Sequence, residues 1–134
     1  MRKKVINAVI INKEGKILLL HRTKDRKNFP DLWHTCSGTL EGKETPEQCL
    51  KREINEELGI TDYTIIKRGE RMDNITLPGI IFEVWTFLIK TDEEIKIVDK
   101  HEHDNFMWIT PKEIKKLKII KGFKDNLKSV GVIV

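Results

Sequence analysis

Apolar residues form two short runs near the start of the chain, VINAVII (5–11) and KILLLH (16–21), with NKEG between them. Runs of this length bounded by turn residues predict strands, and a short glycine-containing connection predicts a hairpin. The longer apolar run at 80–90 predicts a central strand, because a strand buried on both faces carries few polar positions. Three shorter runs predict further strands, at 32–37, 63–69 and 105–110.

The apolar positions of residues 46–58 have the spacing of a helix, because Leu50, Ile54 and Leu58 recur every fourth position. The start of this helix is marked by Thr45 as N-cap, Pro46 in the first position and Gln48 placed to close a capping box; Gly59 marks its end. TPKEIKKL, capped by Thr110, repeats the start signal, and the segment 121–129 is amphipathic. The pattern therefore predicts two or three helices among the strands.

Strands interleaved with helices predict an α/β fold in which a mixed sheet lies between helices. Residues 1–134 contain no linker, internal repeat or low-complexity segment, and 134 residues fit one domain. The sequence therefore predicts a single α/β domain.

Composition limits the class of protein. With 39% hydrophobic and 34% charged residues the chain is a globular protein, and its charge is 25 − 21 = +4. The lysines are scattered without a compact basic block, so no stable nucleic-acid partner is expected. Cys36 and Cys49 do not make a disulfide framework. The N-terminal apolar run breaks at Asn12, so neither a signal peptide nor a membrane span is expected. A cytoplasmic location is expected.

The helix at 46–58 carries an unusual concentration of acidic residues. Glu53, Glu56 and Glu57 are spaced three and four apart on the flank beside the apolar stripe, so their carboxylates converge. Crowded, partly desolvated carboxylates resist ionising together, and a divalent cation removes that conflict. Oxygen ligands suit Mg²⁺ or Mn²⁺ rather than zinc. The alternative is an ordinary solvated helix face.

Residues 38–60 resemble the Nudix box: Gly, five residues, Glu, seven residues, Arg-Glu, an aliphatic, any residue, Glu-Glu, any residue, Gly, an aliphatic. Every spacing is kept, by Gly38, Glu44, Arg52, Glu53, Ile54, Glu56, Glu57, Gly59 and Ile60. The resemblance implies the Nudix fold, an α/β/α sandwich with a mixed sheet.

The resemblance also implies roles for these residues. Glu53, Glu56 and Glu57 would be the main ligands of Mg²⁺ (or Mn²⁺), with the carbonyl of Gly38 as a further ligand. Arg52 would orient a neighbouring carboxylate, and Glu44 would hold the loop or reach a metal-bound water. The choice of general base among the glutamates stays open.

Nudix enzymes hydrolyse nucleoside diphosphates linked to another moiety. The resemblance therefore implies a divalent-metal-dependent pyrophosphohydrolase acting on a nucleoside triphosphate, a nucleotide sugar or a similar nucleotide-type diphosphate substrate. Since Nudix proteins are often dimers, a homodimer is one expected assembly. Specificity is expected to lie in RTKDRKNFPD (22–31) and ERMDNITLPG (70–79).

Four residues outside the box are further candidates. Arg22 stands where the family often has a phosphate-binding arginine, and Glu102 where several members keep an extra acidic ligand or base. Glu83 interrupts an apolar strand on the same face as Trp85, which suggests that both line the substrate cleft. The alternatives are a surface arginine, a solvated loop residue and a sheet edge open to solvent.

The approach to the box, LWHTCSGTLEGKE, departs from the usual glycines and proline. It is similar to a subgroup related to isopentenyl diphosphate isomerase, in which a cysteine and a serine precede a histidine. Here Gly38 follows Ser37, the histidine is missing, and the acidic pairs are intact, which favours a hydrolase. The alternatives are an isomerase-like enzyme using Cys36, and a Nudix module that senses nucleotides without cleaving them.

Overall fold

A computed structural model describes residues 1–133. Within that range eight strands belong to one mixed sheet. They are β1 (Arg2–Ile11), β2 (Ile17–Arg22), β3 (Trp33–His34), β4 (Cys36–Thr39), β5 (Thr64–Arg68), β6 (Met72–Leu77), β7 (Ile80–Lys90) and β8 (His103–Ile109). The helices are α1 (Pro46–Leu58) and α2 (Phe123–Ser129), with a 3-10 helix at Pro111–Lys116.

The pairing of β1 determines where space opens in the sheet. β1 pairs in parallel with β7 along its whole length, and its middle residues 5–8 pair antiparallel with β4. Its pairing with β2 is confined to Ile11 and Ile17, beside the turn that contains Gly15. β2 pairs instead with β3 and β8. The two parts of the sheet therefore separate away from the turn, where β4 takes the place beside β1.

Two hydrophobic clusters cover the two faces of the sheet. Alternate β1 residues such as Ile6 and Ala8 pack with Leu50 and Ile54 of α1. Val9, on the other face, packs in a second cluster whose helical members include the α2 residues Phe123 and Leu127. This arrangement confirms the predicted α/β/α sandwich with a mixed sheet.

The element boundaries test the predictions from the pattern. Helix 46–58 and strand 80–90 are confirmed at the predicted residues. TPKEIKKL forms a 3-10 helix rather than an α-helix. It ends where the chain becomes extended at Leu117, and the carbonyl of Lys118 then accepts a hydrogen bond from Trp33 N (2.8 Å). Strand β6 was not predicted. Among residues 1–133, no single helix combines the length and the hydropathy that a membrane-spanning helix requires.

Candidate active site

A cavity of about 700 Å³ is lined by residues from both parts of the sheet. Its lining comes from β1, β4, β6 and β7, from single residues of β2, β3 and β8, from the glutamates of α1, from the loops at 26–29 and 99–102, and from residues 120–126. This volume is in the range of small-molecule sites in proteins. The predicted specificity segments 22–31 and 70–79 both contribute to its walls.

Helix α1 holds the acidic residues at one end of this cavity. Thr45 Oγ1 accepts a hydrogen bond from Gln48 N, and Gln48 Oε1 accepts one from Thr45 N (2.9 Å), so the predicted capping box is formed. Gly59 ends the helix in the left-handed conformation (φ 70°). With both ends fixed and its apolar stripe buried, the helix presents its acidic flank to the cavity.

Arg52 connects three parts of the site. Its Nε and Nη2 donate to the two carboxylate oxygens of Glu44 (2.7 and 2.9 Å), and its Nη1 donates to Glu53 Oε1 (2.7 Å). Nη2 also donates to the carbonyl of Thr39 (3.1 Å) on β4. The paired contacts with Arg52 lower the pKa of Glu44 to about 2, with help from the backbone N–H of Glu41. Arg52 therefore fixes the orientation of Glu53 relative to the loop before the helix.

Glu57 is the most deeply placed of the three helix glutamates. Burial raises its pKa to about 8, and the negative charges of Glu53 and Glu102 add to this effect. Burial also raises the pKa of Glu53, although the hydrogen bond from Arg52 opposes that rise. Glu56 lies farther out, with 58% of its side chain exposed and its Oε2 3.3 Å from Arg52 Nη1. The spacing in the sequence alone does not show that these three glutamates differ in burial.

Glu102 reaches the same cluster from a distant part of the chain. Ligand atoms of Glu57, Glu102 and His103 all lie within 4.8 Å of one another. Burial lowers the pKa of His103 to about 4, so its imidazole is neutral near pH 7 and can donate a lone pair. Most of the ligand atoms in this group are carboxylate oxygens. Without a metal ion, the raised pKa of Glu57 shows that its charged form is disfavoured. Both properties fit a hard divalent cation such as Mg²⁺ or Mn²⁺.

Gly38 lies directly against Glu53. A Cβ on Gly38 would be 2.1 Å from the carboxyl carbon of Glu53 and 2.3 Å from its Cγ. The backbone of β4 can approach the Glu53 side chain this closely because residue 38 has no side chain. The glycine of the box is therefore required here for space.

Basic residues line the same cavity as the acidic cluster. Arg22 is buried, and its guanidinium donates to the carbonyls of Phe29 and Asn28 (2.9 Å each), so it holds the 22–31 loop as well as lining the cavity. Burial lowers the pKa of Arg22 to about 10. Four other basic residues, for which the sequence carried no signal, also line the cavity: Lys3, Arg26, Lys27 and Lys121. Their positive charges favour an anionic ligand in the cavity.

Glu83 and Trp85 do not line this cavity, which corrects the prediction made for them. Phe82 and Val84 of the same strand face it, so the alternation of β7 directs Glu83 and Trp85 to the opposite side. The carboxylate of Glu83 accepts a hydrogen bond from Arg71 (3.1 Å), and Trp85 packs against the cluster that contains α1. The sequence showed correctly that the two share a face, but not which face the cavity occupies.

Two further lining residues were missed. Asn126 and His34 are buried polar residues in the cavity wall. Asn126 could have been noticed, because it occupies a buried position of an amphipathic helix between Phe123 and Leu127. His34 gave no comparable signal, since a histidine in a short strand is usually a satisfied core residue.

Comparison with known proteins extends the resemblance of residues 38–60 to nearly the whole chain. The family model of the NUDIX domain matches residues 1–129. "Nucleoside triphosphatase NudI" of Escherichia coli O139:H28 (strain E24377A / ETEC) is 26% identical, over 99% of this chain and 100% of its own length. The crystal structure of a MutT protein from Methanosarcina mazei Go1 has a TM-score of 0.81 at 20% identity, covering 95% of this chain and 91% of its own. An Ap4A hydrolase of C. elegans, in a binary complex, has a TM-score of 0.76 at 24% identity, covering 95% and 93%.

Proposed function

The chain belongs to the Nudix hydrolase family, and from that premise we propose that it is a divalent-metal-dependent pyrophosphohydrolase of a nucleoside triphosphate or similar nucleotide. The observation that carries the proposal is the convergence of Glu53, Glu57 and Glu102 in a nucleotide-sized cavity. Basic residues that line the same cavity support a substrate with several phosphates. A nucleoside triphosphatase among the relatives supports the same substrate class.

The proposed ligands of Mg²⁺ or Mn²⁺ are Glu53, Glu56, Glu57, Glu102 and the carbonyl of Gly38. When bound, the cation supplies charge neutralisation of the phosphates and a water of lowered pKa. Arg52 orients Glu53, and Glu44 holds Arg52 in place through its paired contacts. Arg22, through the 22–31 loop, positions the basic side chains that face the phosphates. The acidic cluster shares its protons, so we assign the general base to the cluster as a whole.

We expect hydrolysis to require an added divalent cation. The protein would be incubated with nucleoside triphosphates, nucleotide sugars, ADP-ribose and oxidised nucleotides, and released phosphate or pyrophosphate measured. Mg²⁺ should support turnover of at least one of these, Mn²⁺ should partly replace it, and EDTA should abolish it, because the clustered carboxylates need a cation to bind phosphates. Turnover that persists in excess EDTA would contradict the proposal.

The isomerase-like alternative is not favoured, and Cys36 provides its test. This thiol is 1% exposed, does not line the cavity, and its Sγ lies 2.7 Å from Glu57 Oε2. We expect Cys36→Ser to keep most of the hydrolytic activity, because a serine hydroxyl can donate to Glu57 in place of the thiol. Conversion of isopentenyl diphosphate without phosphate release, lost in Cys36→Ser, would favour the isomerase instead.

A module that senses nucleotides without cleaving them is the remaining alternative. It would bind members of the same substrate panel and release neither phosphate nor pyrophosphate. The complete acidic set favours the hydrolase, since binding alone does not need every glutamate. The homodimer, the cytoplasmic location and the lack of a stable nucleic-acid partner stay predictions.

A further inference from the structure

Glu102 differs from the other proposed carboxylate ligands because it lies in a loop. Glu53, Glu56 and Glu57 are carried by α1, which fixes their spacing, whereas Glu102 immediately precedes β8. The register of β2 with β8 shifts close to that point, as at a β-bulge. The ladder is therefore interrupted where the Glu102 loop joins it, and other contacts must hold this loop in place.

Thr23 supplies two of these contacts, to consecutive residues of the loop. Its backbone N–H donates to the carbonyl of Glu102 (3.2 Å), and its hydroxyl donates to the carbonyl of His101 (3.0 Å). Nη1 of Arg26 donates to the same Glu102 carbonyl (3.1 Å). The two carbonyls belong to the two planar peptide units that flank the Cα of Glu102, so bonds to both fix the direction of its side chain.

Thr23 lies at the neck of the 22–31 loop. Its own carbonyl accepts hydrogen bonds from the backbone N–H groups of Arg26 (3.2 Å) and Asp31 (3.4 Å). Thr23 is buried and does not line the cavity, unlike its neighbours Arg22 and Arg26. An effect of the Thr23 hydroxyl on binding in the cavity must therefore pass through the backbone that this hydroxyl holds.

We propose that Thr23 is a positioning residue for Glu102, and that its hydroxyl keeps the Glu102 carboxylate in the acidic cluster by holding the carbonyl of His101. The inference rests on the proposed function, because it takes Glu102 as a metal ligand. It adds a connection between the 22–31 loop, whose basic residues line the cavity, and the cluster that binds the cation. Loss of the hydroxyl should weaken metal binding although Thr23 touches neither metal nor substrate.

The test is a Mn²⁺ titration of the full chain without substrate, in which electron paramagnetic resonance measures free Mn²⁺. Thr23→Val keeps the shape of the side chain and the backbone N–H, and it removes only the hydroxyl. It should weaken Mn²⁺ binding by roughly tenfold, the lower end for losing a group that positions a ligand. Thr23→Ser keeps a hydroxyl and should restore most of the affinity.

Thr91→Val is the matched control. Thr91 is buried like Thr23, and its hydroxyl donates to the carbonyl of Asp62 (2.8 Å) away from the cavity. Both valine variants lose one hydroxyl-to-carbonyl hydrogen bond, so both should melt a few degrees below the native protein. Only Thr23→Val should lose Mn²⁺ affinity. Native affinity in Thr23→Val, or an equal loss in Thr91→Val, would overturn the positioning role.

A double-mutant cycle with Glu102→Gln shows whether the effect passes through that carboxylate. Glu102→Gln should weaken Mn²⁺ binding at least as much as Thr23→Val does, because an amide carries no charge to bind the cation. Adding Thr23→Val to it should then cause little further loss, and additive losses would contradict the proposal. If Thr23→Val does not fold, Thr23→Ala replaces it in the same cycle, since the space that alanine leaves admits a water to the carbonyl of His101.

Failure of this proposal is distinguishable from failure of the proposed function. Native Mn²⁺ affinity in Glu102→Gln would remove Glu102 from the proposed metal ligands, and the positioning role with it. A loss in Glu102→Gln without a loss in Thr23→Val would reject the positioning role alone. Mn²⁺ binding that depends on Thr23 and Glu102, without hydrolysis of any substrate, would keep the positioning role and reject the hydrolase.

Discussion

Glu57→Gln is expected to lower hydrolysis by roughly a hundredfold or more while the fold stays intact. Glutamine keeps the size of the side chain, so packing against α1 and β4 is preserved. It carries no negative charge, however, and cannot hold a cation or accept a proton as the carboxylate does. The measurement is kcat/KM for the best substrate of the panel in Mg²⁺, with circular dichroism to confirm the fold.

The same substitution should also change stability in a direction that depends on metal. In the metal-free protein the pKa of Glu57 is about 8, against 4.5 for the free group, chiefly because of burial. Between these values the folded chain holds a proton that the unfolded chain has lost, so metal-free stability falls as pH rises. At pH 8 with EDTA, Glu57→Gln should therefore melt above the native protein. Saturating Mg²⁺ should reverse that order, because only the native protein gains the full binding energy.

Glu47→Gln is the matched control for both measurements. Glu47 lies in the first turn of the same helix, is exposed, and pairs with Arg68 away from the cavity. It should leave turnover and the order of melting temperatures unchanged. Full activity in Glu57→Gln would remove Glu57 from the site, and an unchanged metal-free melting temperature at pH 8 would contradict its burial as a charged group.

Elements whose conformation depends on nearby residues could be predicted from the sequence. Helix 46–58 is bounded by a capping box and a left-handed glycine, both formed by residues within one turn of its ends, so its limits could be read directly. Strand 80–90 could be predicted because its long, nearly continuous apolar run is typical of a central strand. The spacing of the Nudix box likewise showed that one helix carries the glutamates.

The features that could not be predicted depend on pairing between strands that are distant in the sequence. β6 contains Asp73 and Asn74, which favour turns, and it is a strand because it pairs with β7. Glu102 reaches Glu57 because β8 pairs with β2, with His103 opposite Arg22. The local pattern of residues predicts neither the register of β6 with β7 nor that of β8 with β2. For the same reason the sequence placed Glu83 and Trp85 on one face of β7 without showing that the cavity lies on the other.

Gly38→Ala should reduce both metal affinity and turnover by about a hundredfold, the upper end for losing a group that positions a ligand. The φ of Gly38 lies outside the left-handed region, so alanine meets no backbone strain there. Its methyl group would instead occupy the space of the Glu53 carboxyl carbon, 2.1 Å away. Glu53 is only 13% exposed and is held by Arg52 at 2.7 Å, so its carboxylate must leave the cluster to make room. Titration with Mn²⁺ and the rate of hydrolysis measure the two effects.

Two controls separate displacement of Glu53 from general damage. Gly15→Ala, at the tip of the β1–β2 turn with φ 75° and open space around it, should cost roughly 1–2 kcal/mol of stability without changing metal affinity. In a Glu53→Ala background the atoms that the new methyl group would meet are gone, so adding Gly38→Ala should cause little further loss. If the two losses were instead additive, Gly38 would act independently of Glu53, and the close approach of β4 to that side chain would not be what the glycine provides.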